Sequence, residues 1–139
     1  MKKFFLLSFL PSNVDLGLLL LRVGFGVTMV VYHGWPKVTK FSSMFTTFAD
    51  PVGVGPRASY LVAVGGEALA ATLVVLGLFT RFAALWAAVV MGVAFFIVHE
   101  RALSGPRSGE MAFLYCVAFL TLVFTGAGRY SVDAKIGGK

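Results

Sequence analysis

Residues 16–33 read Leu16-Gly-Leu-Leu-Leu-Leu-Arg22-Val-Gly24-Phe-Gly26-Val-Thr-Met29-Val-Val-Tyr32-His33. An apolar run of this length is enough to cross a bilayer, which takes roughly 17–25 residues as a helix. One arginine interrupts it. An ionisable group in hydrocarbon costs about 2.5–3.5 kcal/mol on insertion scales, so a chain that keeps one gives it a partner or a task. The stretch predicts a membrane-spanning helix with a buried charge.

Three further apolar runs follow, at about 58–79, 82–98 and 111–127. The composition agrees with them. Of 139 residues, 58% are hydrophobic and only 13% charged, and mean hydropathy is +0.88. A soluble domain of this size leaves about a third of its chain surface exposed and could not hide so much apolar area. An ordinary soluble enzyme and a disordered tail are excluded. With a single cysteine, Cys116, so are a disulfide scaffold, a lone Cys-x-x-Cys redox pair and a several-thiolate metal site. The fold class expected is an all-α membrane protein, a bundle of four transmembrane helices forming one domain over residues 1–139.

The connections are unequal. Ser12-x-x-Asp15 has capping-box spacing and places the first helix start near Asn13. The Gly34–Arg57 loop is the longest. In it Phe41, Met44, Phe45 and Phe48 follow i, i+3, i+4, i+7 spacing, which predicts a short interfacial helix. Thr80-Arg81 is read as a tight link between spans two and three. Tyr32, Trp35, Tyr60 and Tyr130 fall where an aromatic belt would sit. The opening stretch, residues 1–10, resembles a signal peptide but meets Pro11 without an Ala-x-Ala site, and is expected to stay as an interfacial segment.

The net charge is +6. No basic stretch exceeds Lys2-Lys3, so the lysines and arginines read as headgroup anchors and not as a nucleic-acid surface. Four crossings put both termini on one side. That side carries Lys2, Lys3, Arg81, Arg129, Lys135 and Lys139, against Lys37, Lys40, Arg57, Arg101 and Arg107. Six against five leans toward cytoplasmic termini.

Arg22 and Glu67 lie inside spans. His33 and His99 stand at the far ends of spans one and three, and Glu110 opens span four at that level. Arg22 and His33 are about three helical turns apart and share a face with Gly26 and Met29. Small residues surround Glu67. Two readings stand. Arg22 and Glu67 form an ion pair that only fixes helix register, or they flank a cavity for a polar or redox-active ligand. The histidines are interfacial residues, a proton-handling or ligand-contacting pair, or haem ligands. The geometry favours convergence of His33, His99 and Glu67 on one cavity beneath the long loop.

The motifs resemble those of the DoxX family of small bacterial membrane proteins. Leu21-Arg22-Val-Gly24-Phe-Gly26 and Tyr32-His33-Gly34-Trp35-Pro36-Lys37 resemble its first-helix signature. Gly65-Gly66-Glu67, Leu76-Gly77-Leu78-Phe79-Thr80-Arg81, the stretch from Met91 to His99, Gly109-Glu110, and Thr125-Gly126-Ala-Gly128-Arg129-Tyr130-Ser131-Val-Asp133 resemble the rest in order, over about residues 16–133. The resemblance implies a four-helix bundle in the bacterial inner membrane. It also implies a redox association, since the family is related to the membrane subunit of a thiosulfate:quinone oxidoreductase and appears in quinone and thiol stress responses. The family's recurring polar positions fall on Arg22, His33, Lys37, Glu67, His99 and Glu110.

The expected function is a redox-associated membrane subunit that binds a quinone-like molecule and serves a soluble redox partner, in the bilayer and as a homo-oligomer or alone. No haem or flavin motif supplies an electron carrier, so the carrier expected is a bound ligand, a quinone among the candidates, or it belongs to a partner. The ligand-binding candidates are Arg22, His33, Glu67, His99 and Glu110. The competing readings are a non-enzymatic scaffold, whose polar residues would pair off and leave no cavity, and a small transporter, against which the lack of an inverted repeat stands.

Overall fold

The computed structural model describes residues 2–7, 9 and 11–137, and among these it is helical with no strand. Met1, Ser8, Leu10, Gly138 and Lys139 lie outside the described residues, as do the Lys2, Lys3 and Lys139 side chains expected to anchor in the headgroups. The helices are α1 (Lys2–Phe5), α2 (Val14–Thr39), α3 (Phe41–Met44), α4 (Pro56–Leu76), α5 (Thr80–Val98), α6 (Glu110–Thr125) and α7 (Val132–Ile136). Three of them, α2, α4 and α5, are long and apolar enough to cross a membrane. The fourth apolar helix, α6, has 16 residues, about 24 Å at the usual rise.

Each boundary has a local cause. Asn13, and not the Ser12–Asp15 box, caps α2: its side chain accepts the Leu16 N–H at 3.0 Å. Asp15 is engaged elsewhere, accepting the Arg129 N–H at 2.9 Å. Pro56 sits in the first turn of α4, where a missing N–H costs nothing. At the other end of α4 Gly77 takes the left-handed conformation (φ 70°). Its N–H bonds Val74 O at 3.1 Å and the Leu78 N–H bonds Leu73 O at 3.0 Å, the two bonds of a glycine-terminated helix end. The link to α5 is therefore Gly77-Leu78-Phe79, three residues earlier than Thr80-Arg81. Thr80 already belongs to α5.

The long helices pack through small residues. Ala83, Ala84, Ala87 and Ala88 of α5 are buried, with Ala70, Ala71, Val74, Phe119 and Leu122 around them. Without a hydrophobic drive inside a bilayer, close van der Waals approach holds helices together, and alanine and glycine permit it. A Cβ on Gly34 of α2 would lie 2.6 Å from Glu67 O of α4 and 2.8 Å from Ala68 Cα. The two backbones touch there.

Three stretches widen to π-helical turns: Val30–Gly34, Gly65–Ala70 and Ala94–Val98. The first two abut at the Gly34–Glu67 contact. A π turn re-aims the side chains that follow it, and such turns are frequent at functional sites.

Of the predicted interfacial helix only Phe41–Met44 is helical. Phe41, Phe45 and Phe48 close instead around the Tyr60 ring, edge-on at 5.6, 6.0 and 5.4 Å between centroids. Tyr60 is fully buried, which removes it from the predicted aromatic belt; Tyr32 and Trp35 stay exposed.

Candidate functional site

The charges separate into two groups, one at each end of the bundle. Arg22 is fully buried, yet it does not meet Glu67. Its guanidinium donates to Val74 O at 3.2 Å and Val75 O at 3.1 Å through Nη1, and to Tyr130 O at 2.6 Å through Nη2. Val74 and Val75 belong to the last turn of α4, whose carbonyls carry the negative end of the helix dipole; Val74 O shares the guanidinium with the Gly77 N–H. The expected Arg22–Glu67 ion pair is thus overturned. The physical reason is depth: Val75 lies eight residues, about 12 Å, along α4 from Glu67. The guanidinium fork suits several carbonyls at once as well as it suits a carboxylate.

The same end holds Asp133 of α7. Its carboxylate accepts the Phe79 N–H at 2.7 Å and the Thr80 N–H at 2.9 Å, capping α5 from more than fifty residues away. The Asp133 N–H in turn bonds Gly77 O at 2.8 Å. Burial opposes the Asp133 charge, but the Thr80 and Phe79 N–H groups and the Arg22 guanidinium outweigh it and hold the carboxyl below its ordinary range. The C-terminal segment is tied to the α4–α5 turn and to the start of α2.

At the opposite end Glu67 is buried in the π turn of α4, 6% exposed. Its partner is Lys37, whose Nζ stands 2.5 Å from Glu67 Oε2 and 3.3 Å from His33 O. Tyr60 fixes the helix that carries the lysine, donating its hydroxyl to Lys37 O at 2.6 Å. Among the described residues no protein group donates to Glu67 Oε1, and that oxygen is not sealed from its surroundings.

Glu67 lines a cleft of about 270 Å³ between α4, α5 and the loop that follows Phe48. The wall is apolar, with Val62, Ala63, Val90 and Val93 among its residues, and Ser59 and Glu67 are its two polar side chains. Val62, Val89 and Val98 at its rim are exposed, so it opens sideways between α4 and α5. Ser59 donates its hydroxyl to Asp50 Oδ1 at 2.7 Å. Asp50 also accepts the N–H groups of Gly55 at 2.7 Å and Val54 at 3.0 Å. The Ser59 bond, against the cost of burial and joined by the backbone donors, holds the Asp50 carboxyl below its ordinary value.

The other sequence-level candidates do not converge on this cleft. His33 lines a separate groove of about 530 Å³ between α2 and α6, with Phe25, Tyr32 and Tyr115. Its ring meets Tyr115 edge-on at 5.4 Å. His99 turns to the following loop, with Nδ1 3.0 Å from Arg107 O, and Gly109 packs on its ring so closely that a Cβ would fall 2.6 Å from His99 Cβ. Glu110 is exposed at the first turn of α6, where the helix dipole favours it. The single cavity expected for His33, His99 and Glu67 is replaced by two, with His99 in neither. Equal depth does not make equal azimuth: α2 and α5 reach the same level but turn their histidines to different neighbours.

Lys37, Ser59, Asp50 and Tyr60 were not singled out as site residues from spacing. Lys37 had a signal, since it lies one turn after His33 on the same helix face. Ser59 and Asp50 had none, because their meeting depends on how the 45–55 loop folds.

Comparisons with known proteins find relatives along most of the chain. The chain is 36% identical over 112 residues to an uncharacterized protein of Haemophilus influenzae, covering 77% of this chain and 81% of that one. A second uncharacterized H. influenzae protein is 30% identical over 107 residues, 73% of this chain and 70% of its own. The inner membrane protein YphA of Escherichia coli is 30% identical over 125 residues, 85% of this chain and 89% of YphA. No solved structure matches. The DoxX profile matches residues 17–100, a stretch that holds Arg22, Lys37 and Glu67 together with the three long apolar helices, and the chain is an integral membrane protein that belongs to the DoxX family.

Proposed function

We propose that this protein is a four-span inner-membrane subunit, both termini cytoplasmic, that binds a quinone-like ring beside Glu67 and serves a soluble redox partner. The name of its relative YphA supports the inner membrane. The meeting of Asp15 with Arg129, and of Asp133 with Phe79, supports an even number of crossings, with α6 as the fourth. The observation that carries the ligand reading is the apolar cleft with one ion-paired carboxylate in its wall. Ligand sites are typically apolar with a few placed polar groups, at about 300–1,000 Å³. At about 270 Å³ this one has room for a ring, with a lipophilic tail left in the bilayer through the sideways opening. Of the candidates, Glu67, held in place by Lys37 from outside the cleft wall, is the contact to the ring. His33 serves the second groove, while Arg22, His99 and Glu110 hold the bundle and its loops. Electron transfer would be the chemistry of the bound ring and the partner; the chain supplies an oriented, water-poor slot.

The scaffold reading has one observation in its favour: Arg22 and Glu67 are both partnered within the protein. Mass spectrometry of lipid extracts from protein purified in mild detergent separates the two. A ring-bearing amphiphile is expected from the native protein and is expected to be lost from Ala94→Phe, which fills the cleft. An extract holding only phospholipid, with a soluble protein co-purifying, supports the scaffold.

A further inference from the structure

Both polar side chains in the cleft wall offer acceptors and no donor. Glu67 is held by Lys37 through Oε2, and among the described residues its Oε1 is the oxygen left without a protein donor. The ammonium that could have served a ligand carbonyl is turned to Oε2 and to His33 O, and Lys37 is not part of the cleft wall. Ser59 has one hydroxyl proton, committed to Asp50 Oδ1 at 2.7 Å. Asp50 stays a carboxylate, because two backbone N–H groups join the serine in donating to it. Ser59 therefore shows the cleft only lone pairs.

We infer that the cleft selects a lipophilic molecule whose polar end is a hydrogen-bond donor, a phenol or hydroquinone hydroxyl, over the matching molecule that carries only acceptors. The inference rests on the ligand reading above and deepens it: the reduced form of a quinone-like ring fits and the oxidised form does not. A hydroxyl at Glu67 Oε1 completes a hydrogen bond to the carboxylate in an otherwise apolar wall. A carbonyl in the same place sets two acceptors against each other and leaves a buried carboxylate oxygen unpaired. A site built to hydrogen-bond a hydroxyl discriminates strongly against the analogue that lacks it, because its own polar group is then left alone. The position of Glu67 within the π turn, rather than in a regular helix, is part of the arrangement. From there Glu67 both pairs with Lys37 and lines the cleft.

The test uses the full chain in phospholipid nanodiscs and two matched pairs of probes, with binding measured by equilibrium dialysis. One pair is a decyl benzoquinone and its hydroquinone, kept under argon. The other is 4-nonylphenol and its methyl ether, which differ in the donor and not in redox chemistry. The donor member of each pair is expected to bind about tenfold tighter or more. Glu67→Gln, which puts an amide donor into the wall, is expected to narrow or reverse the preference. Lys37→Gln combined with Glu67→Gln keeps a neutral hydrogen-bonding pair where the single variant fails to fold, and carries the same expectation. Equal binding within both pairs, or preference for the quinone and the ether, overturns the selectivity and leaves the ligand site standing. Binding of none of the four probes overturns the ligand site, and the selectivity with it.

Discussion

Arg22 and Lys37 stand on one helix, about 22 Å apart at 1.5 Å per residue. Arg22 ends in three backbone carbonyls, from the last turn of α4 and from the C-terminal segment, and none of its surface is exposed. Lys37 ends on a carboxylate that lines an open cleft, and its own side chain is 18% exposed. The first arrangement has no room for a ligand. Gly77 packs against the guanidinium with no space for a side chain, Ser131 lies against the same glycine, and the Asp133 N–H bonds Gly77 O. The second keeps an oxygen available. A buried charge in a membrane bundle can thus be wholly spent on holding the fold or partly held back for chemistry. The difference lies in enclosure: the guanidinium is sealed among backbone groups, whereas Glu67 lines an open cleft.

The largest expected effect is at the closed end. Arg22→Ala removes the side-chain donor from Val75 O and Tyr130 O, leaves Val74 O with the Gly77 N–H alone, and should destabilise the bundle by on the order of 3 kcal/mol. Thermal unfolding in mild detergent reads it. Arg22→Lys should recover only part, since one ammonium cannot reach both α4 and Tyr130. Recovery to the native midpoint would show that the fork geometry is dispensable.

At the open end, Lys37→Ala and Glu67→Ala should each cost about 2 kcal/mol, and the double variant less than their sum, because each single change leaves a charge unpaired. A double-mutant cycle checks this. Additive losses would mean the pair contributes no coupling.

Asp133→Asn keeps one acceptor for the first turn of α5 and loses the charge; about 1 kcal/mol is expected. The sign of its pH dependence follows from the lowered pKa. With the folded value below the unfolded one, near 3.9, the contribution is full above about pH 4. It fades as pH falls through the folded value. The melting temperature of the native protein should drop in that acid window, and the drop should be shallower in Asp133→Asn. Identical acid profiles would remove the charge from the cap.

The smallest effect expected is the one between the ends. Truncations of Arg22 and Glu67 share no contact, so they should add to within about 0.5 kcal/mol. A coupling well beyond that would bring back the ion pair that the sequence invites.

How far the sequence reaches shows in particular residues. The apolar runs place α2, α4 and α5 with ends off by a few residues, since hydropathy averages over a window while caps act at single positions. Gly77 and Asp133 shift the α4–α5 turn, and neither has any hydropathy signal. Arg22, His33, Glu67 and His99 were legible as expensive polar residues, because burial cost depends on residue type and depth alone. Their partners were not. A helix sequence fixes which residues share a face, but leaves open which neighbour that face meets.

By itself, then, the sequence determined that this is a helical membrane protein, which residues carry charge into it, and that small residues mark the faces where helices touch. These follow from transfer free energies and helical periodicity, both properties of single residues and local chain. Only the tertiary structure decided that Arg22 answers to carbonyls, that Lys37 answers to Glu67, and that His33 and His99 part company. Those outcomes depend on relative rotation and on π turns, set by the contacts of Gly34 with Glu67 and of Gly65 and Gly66 with Trp86 and Val90. A rotation of one residue about a helix axis, about 100°, exchanges one neighbour for another without changing the depth or the composition of anything.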